Sequence, residues 1–204
     1  MSFPVGPLSF EVSTAELGLP MELRMGSTIA SLPCSGMAAC PAGDPVSLTC
    51  ASGVCDPDAV DVTTTIAVID FNELIPDDFR DILSHVDRYD IEEITYEIEQ
   101  NTLTVNLPEV ELHWGPEGAI AVDPAMGVHR LTRMPATEAG RTGSGMLALE
   151  AAGEAALSDH LVDISQQVRF FARTRVDLAP GGPYPQGSLR ASASMRVRAV
   201  GSVL

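Results

Sequence analysis

The 204-residue chain contains no lysine: all 12 basic residues are arginine, against 28 acidic ones, for a formal net charge of −16. A field of that sign repels DNA, RNA and anionic membrane surfaces, so none of these is expected as a partner. The missing lysine also excludes a Gly-Lys-Ser/Thr phosphate loop and Schiff-base chemistry from within the chain. Two causes produce such a composition and can act together. A GC-rich genome favours arginine codons, and a saline habitat selects acidic, lysine-poor surfaces.

Other absences narrow the choice further. No apolar run approaches the ~20 residues that a membrane-spanning helix requires. The first ten residues, MSFPVGPLSF, have neither a basic region nor a long apolar stretch, so they do not read as a signal peptide. An extracytoplasmic location would imply a leader lost from a precursor. The histidines, His85, His113, His129 and His160, are scattered and none forms H-E-x-x-H. The nucleophile elbow G-x-S-x-G fails at Thr142, leaving Gly143-Ser144-Gly145 as a polar loop. Ser158-Asp159-His160 reads as helix-capping chemistry, because triad members converge in space and not in sequence.

What is present is a β pattern. Apolar residues make up 45% of the chain, enough for a core, and the length suits one large domain. Ile94, Tyr96 and Ile98 alternate with Glu93, Thr95, Glu97 and Glu99; Leu103, Val105 and Leu107 follow, then Val110, Leu112 and Trp114 on the other parity. Period 2 means strands with one wet face. A turn is expected near Asn101 and a bulge at Pro108. Residues 8–25 read as one or two strands with a parity change near 13–16, and 60–71 reads as a β-branched strand. Residues 168–178 and 189–200 read as a terminal hairpin around a Pro/Gly loop.

Helices are expected over 76–88, opened by Pro76-Asp77-Asp78 with an apolar stripe of Phe79, Ile82, Leu83 and Val86, and over 150–164. Strands outnumber helices and do not alternate with them, which argues against a parallel α/β fold. The expectation is a mainly β protein. It would be an antiparallel β-sandwich or strongly bent sheet with one or two short packed helices, forming a single domain over 1–204 with residues 26–58 as a cysteine-containing loop insertion.

That insertion holds all four cysteines, Cys34, Cys40, Cys50 and Cys55, spaced C-x5-C-x9-C-x4-C. Zinc sites more often carry tighter C-x2–4-C knuckles. Two disulfides in an oxidising compartment are the favoured reading, and they would brace a Pro/Gly/Ser-rich loop. Three pairings are possible. Short loops favour Cys34–Cys40 with Cys50–Cys55, and the nested Cys40–Cys50 with Cys34–Cys55 is an alternative. Asp56, Asp58 and Asp61 follow the last cysteine and offer hard oxygen ligands for calcium, without the Gly and Glu of an EF-hand loop. No other cofactor is expected. Glu111 and His113 share a strand face and could ligate a metal together.

Charge is also segregated. Arg169, Arg173, Arg175, Arg190, Arg196 and Arg198 all lie on the terminal hairpin, opposite in parity to its apolar residues. They would form one patch, either paired with the Glu93/Glu97/Glu99 face as a register device or free to engage an acidic partner, a lipid head group or a second copy of the chain. The functional expectation is a non-catalytic binding or assembly domain outside the cytoplasm, at the cell surface or in the periplasm. The alternative is a carrier of a lipid or other hydrophobic ligand, with a cavity lined by Met21, Met25, Met146 and Met195. A hydrolase is the weakest reading.

Overall fold

A computed structural model describes residues 2–17, 23–35, 40–42, 46–57, 59–75, 86–163 and 166–201. The chain begins with β1 (Ser2–Ser13), then the short pair β2 (Arg24–Met25) and β3 (Thr28–Ile29), the small hairpin β4 (Leu48–Ala51) and β5 (Val54–Pro57), and β6 (Val60–Ile69). One helical turn, α1 (Phe71–Leu74), precedes β7 (Val86–Asn101), β8 (Val110–Pro116), β9 (His129–Met134) and β10 (Gly143–Leu147). Helix α2 (Ala151–Leu161), β11 (Val168–Val176) and β12 (Ser188–Gly201) complete it.

Two four-stranded antiparallel sheets result, ordered β1-β12-β7-β10 and β6-β11-β8-β9. They pack face to face as a sandwich. Phe3, Val5 and Phe10 of β1, Ile94 and Ile98 of β7, and Leu189, Met195 and Val197 of β12 share one core with Val62, Leu112, Trp114, Leu131, Phe170 and Val176 of the second sheet. At one flank β1 leans on β6, and at the other α2 spans β7 and β9. Leu157 and Leu161, both fully buried, are the side chains with which α2 closes the gap.

The central alternation is resolved differently from its sequence reading. Residues 86–101 form one sixteen-residue strand, kept in register with β12 by three bulges. One falls at Glu92, which restores both Ile91 and Ile94 to the core face. The expected hairpin near Asn101 is absent: β7 and β8 lie in different sheets. The Asn101 side chain accepts a hydrogen bond from Leu103 N–H and donates to the Glu138 and Arg141 carbonyls, so it secures a crossing segment rather than a tight turn. The terminal hairpin is likewise absent, since β11 and β12 also belong to opposite sheets.

The two crossings travel together. Thr102 and Thr104 donate their N–H groups to Ser188 and Gln186, and the Thr102 hydroxyl accepts from Ser188 N–H. Gly187 permits this approach: its φ is +94°, and a Cβ there would lie 2.2 Å from the Thr102 carbonyl oxygen. Both arms therefore fold over the end of the sandwich as a double arch.

Of the helix expected over 76–88, residues 76–85 lie outside the described residues, and Val86, Asp87 and Arg88 open β7 instead. The short α1 comes earlier, capped by the Asp70 carboxylate accepting from Asn72 N–H. The helix over 150–164 is present as α2. After β1, residues 14–17 form a 3-10 turn at the expected change of parity; of the alternation that follows, residues 18–22 lie outside the described residues and Arg24–Met25 form β2.

The cysteines are paired Cys34–Cys50 and Cys40–Cys55, the interleaved arrangement, and neither the short-loop pairing nor the nested alternative. The β4–β5 hairpin sets Cys50 and Cys55 opposite each other across the ladder, and each bonds outward to a cysteine from the preceding segment. Backbone pairing decides the connectivity: Cys34 N–H donates to the Gly53 carbonyl, Cys55 N–H to that of Leu32, and Pro33 bridges Val54. No helix among the described residues is long and apolar enough to cross a membrane.

Candidate functional site

Because β11 and β12 face each other across the core, their outward arginines point to opposite sides of the sandwich. The six do not form one patch. Arg169, Arg173 and Arg175 stand on the outer face of the β6-β11-β8-β9 sheet, and Arg190, Arg196 and Arg198 on that of the other.

On the β12 side the arginines meet acidic neighbours, though not the set expected. Arg198 holds Asp90 at 2.9 Å and Glu92 at 3.4 Å, and Arg190 reaches Glu11 of β1 at 3.7 Å. Hydrogen bonds from Arg198 and then Arg88 keep the Asp90 carboxyl below the usual range. Arg196 is opposite Glu93 and Pro4 in register but makes no ion pair among the described residues. Glu97 faces Ser192 and Ser144, not an arginine.

The denser site is on the other face. Strand register places Thr63, Arg173, Glu111 and Arg133 in one row across β6, β11, β8 and β9. Arg175 and Asp61 are opposite each other one row away. Pairing is partly diagonal: Arg173 takes Asp61 at 3.0 Å, and Arg133 reaches Glu150 at 3.4 Å and Glu109 at 3.5 Å. Arg130 bridges the carboxylates of Glu111 and Glu150, joining β8, β9 and the start of α2. His113, 7% exposed, shares a hydrogen bond of 3.2 Å between its Nε2 and Oε2 of Glu111.

These contacts set the ionisation states. Burial alone would raise the Glu111 carboxyl, but hydrogen bonds from Arg130 and His113 outweigh it and hold it low. Glu150 is lowered chiefly by Arg130. Burial pushes the His113 imidazole below its ordinary value in spite of Glu111. The pair suggested as metal ligands is thus a hydrogen-bonded pair whose carboxylate is already engaged by arginine.

A shallow groove of about 510 Å³ runs over this face, lined by Asp61, Pro108, Glu109, Glu111, Arg130, Arg173, Thr174 and Arg175. Arg175 is exposed and makes no ion pair or side-chain hydrogen bond among the described residues. The groove can offer a free guanidinium framed by fixed charges of both signs. Sequence reasoning named Arg173, Arg175 and Glu111 but missed Arg130, Arg133 and Glu150. The bulge between Leu112 and His113 breaks the β8–β9 parity that would have aligned them.

The remaining sequence candidates disperse. Asp56 lies on β5, Asp58 is outside the described residues, and Asp61 is held by Arg173, so calcium would have to displace that arginine. Ser144 sits within β10, laddered against Glu97 and not at a strand-to-helix elbow. Ser158, Asp159 and His160 are at the end of α2 rather than its start, and the His160 ring packs at a tilt of 48° against the Trp114 indole. Met25 and Met146 are exposed, Met195 is in the core and Met21 lies outside the described residues, so no common cavity gathers the three described. Compared with models of protein families and with curated proteins, the chain matches none.

Proposed function

We propose that this is a non-catalytic binding or assembly domain that works outside the cytoplasm, at a cell surface or in the periplasm. The carrying observation is the groove over Arg173 and Arg175, where Arg130 and Arg173 are committed to carboxylates and Arg175 has no ion-pair partner among the described residues. An exposed guanidinium without a partner contributes little to folding, but it is suited to bidentate contact with a carboxylate on another protein. The fixed charges around it would select the partner's orientation. The two disulfides suit an oxidising environment, which supports the compartment.

The experiment compares Arg175→Ser with Arg173→Ser by thermal melting and by concentration-dependent sedimentation at low salt, alone and with extracellular extract of the native host. Arg175→Ser is expected to change stability by no more than ~0.5 kcal/mol, as for a surface site without a partner. It should also weaken association, whereas Arg173→Ser loses its Asp61 contact and lowers stability. If Arg175→Ser leaves association unchanged, the groove is not the binding face. If it destabilises as Arg173→Ser does, the arginines are register devices.

A further inference from the structure

The four cysteines form a second cluster of ligating atoms, distinct from the charged face. The Sγ atoms of Cys34, Cys40 and Cys55 lie within 4.8 Å of one another, and that of Cys50 is bonded to Cys34. Three sulfurs are thus mutually close, and the Cys50 Sγ adjoins them through Cys34 without being within 4.8 Å of all three.

Three of these positions are held by more than the disulfides. Cys50 and Cys55 are ladder partners in the β4–β5 hairpin. Cys34 is fixed along the free side of β5 by the bond from its N–H to the Gly53 carbonyl, 2.9 Å, and by Cys55 N–H to the Leu32 carbonyl, 2.8 Å. Backbone hydrogen bonds, none of which involves sulfur, make this three-stranded platform. Val46, 1% exposed, anchors the segment to the main core. Cys34, Cys40 and Cys50 are partly exposed, so a reductant has access.

A tetrahedral zinc thiolate has Zn–S bonds of about 2.3 Å, which puts its sulfurs about 3.8 Å apart. The observed cluster brackets that spacing: bonded pairs are closer, and the spacing of Cys34, Cys40 and Cys55 extends to no more than 4.8 Å. Reaching it with four sulfurs requires the Cys34–Cys50 bond to open and the Cys50 side chain to rotate towards Cys40 and Cys55.

We propose that this cluster is a redox-gated metal site. Reduced, Cys34, Cys40, Cys50 and Cys55 bind one zinc ion through four thiolates; oxidised, the same atoms form two disulfides and bind none. Each disulfide takes two electrons and two protons, either both from a dithiol, which becomes a disulfide, or the electrons from a phosphine and the protons from the water whose oxygen turns it into a phosphine oxide. The four thiols then lose their protons as the metal binds. The site is independent of the arginine groove and stands or falls separately.

The test uses the full chain, reduced with a phosphine under anaerobic conditions and freed of excess reagent, with cobalt(II) as the optical probe. Reduced protein should show sulfur-to-cobalt charge-transfer absorption and tetrahedral visible bands that saturate at one cobalt per chain and disappear on adding zinc. Oxidised protein should show neither. Zinc should also shield all four cysteines from alkylation, read by mass spectrometry, and Cys40→Ser should lose the four-sulfur spectrum. Absence of the bands and of alkylation protection in a reduced chain that keeps its sheet signal by circular dichroism overturns the proposal. So does loss of the sheet on reduction that zinc fails to restore, because the platform would then depend on the disulfides.

Discussion

Replacing Gly153 by alanine tests how α2 is held. Intrinsic propensity alone says the change stabilises, since alanine in a helix is favoured over glycine by about 1 kcal/mol. The packing says otherwise. A Cβ at position 153 would lie 1.9 Å from the Arg130 carbonyl oxygen and 2.8 Å from its carbon, both backbone atoms of β9. Real Cβ atoms stay at least 3.0 Å away, so the helix must retreat by about 1 Å. That movement stretches the 2.9 Å hydrogen bond from the Trp114 indole N–H to the Gly153 carbonyl, which is buried. Overpacking costs about 1–3 kcal/mol and an unpaired buried N–H about 1–3 kcal/mol, so after the propensity gain the net loss is about 3 kcal/mol. For a chain of this size that lowers the melting temperature by about 6–12 °C. Trp114 is the one tryptophan, so its emission should shift to the red as the helix lifts. A melting temperature equal to or above the parent's would refute the close-packing argument and leave propensity as the governing term.

Other expectations follow from the charged face. Arg130→Met leaves Glu111 and Glu150 with only their longer contacts to Arg133; with Arg130 and both carboxylates about one-third exposed or less, a loss of about 1–2 kcal/mol is expected, between the ranges for surface and buried pairs. Urea denaturation measures it, and adding Glu111→Gln and Glu150→Gln should recover most of the loss. The pH dependence has two stages. His113 has a folded pKa below its unfolded value, so its contribution is complete above about pH 6.5 and is lost as pH falls through the folded value. The lowered carboxyls of Glu111, Glu150 and Asp90 contribute fully above about pH 4.5 and lose that contribution as pH falls through their folded values. Melting temperatures across pH 3–8 should therefore fall in two steps, and His113→Gln should remove the upper one; a single acid transition unaffected by that substitution would contradict the assigned burial.

Individual strands were legible because a half-buried strand repeats every two residues wherever it is placed. The stretches around β7, β11 and β12 were found from that period, and β6 from its β-branched residues. Partners were not legible. Residues 91–114 and 168–200 each look like a hairpin, because an arch that crosses between sheets has the same alternation as one that returns within a sheet. What distinguishes them is Gly187 against Thr102 and the side-chain bonds of Asn101, contacts between residues far apart in the chain.

The same limit governed the candidate site. The sequence by itself determined a folded, acidic, mainly β protein with outward arginines on its last two long strands and a four-cysteine segment, because composition and side-chain parity are local properties. The tertiary structure alone decided that those arginines divide between opposite faces, that Arg130 links Glu111 to Glu150, and that the cysteines interleave on a hydrogen-bonded platform. Each depends on which strand lies beside which, and pairing between distant strands is set by the closure of the whole core.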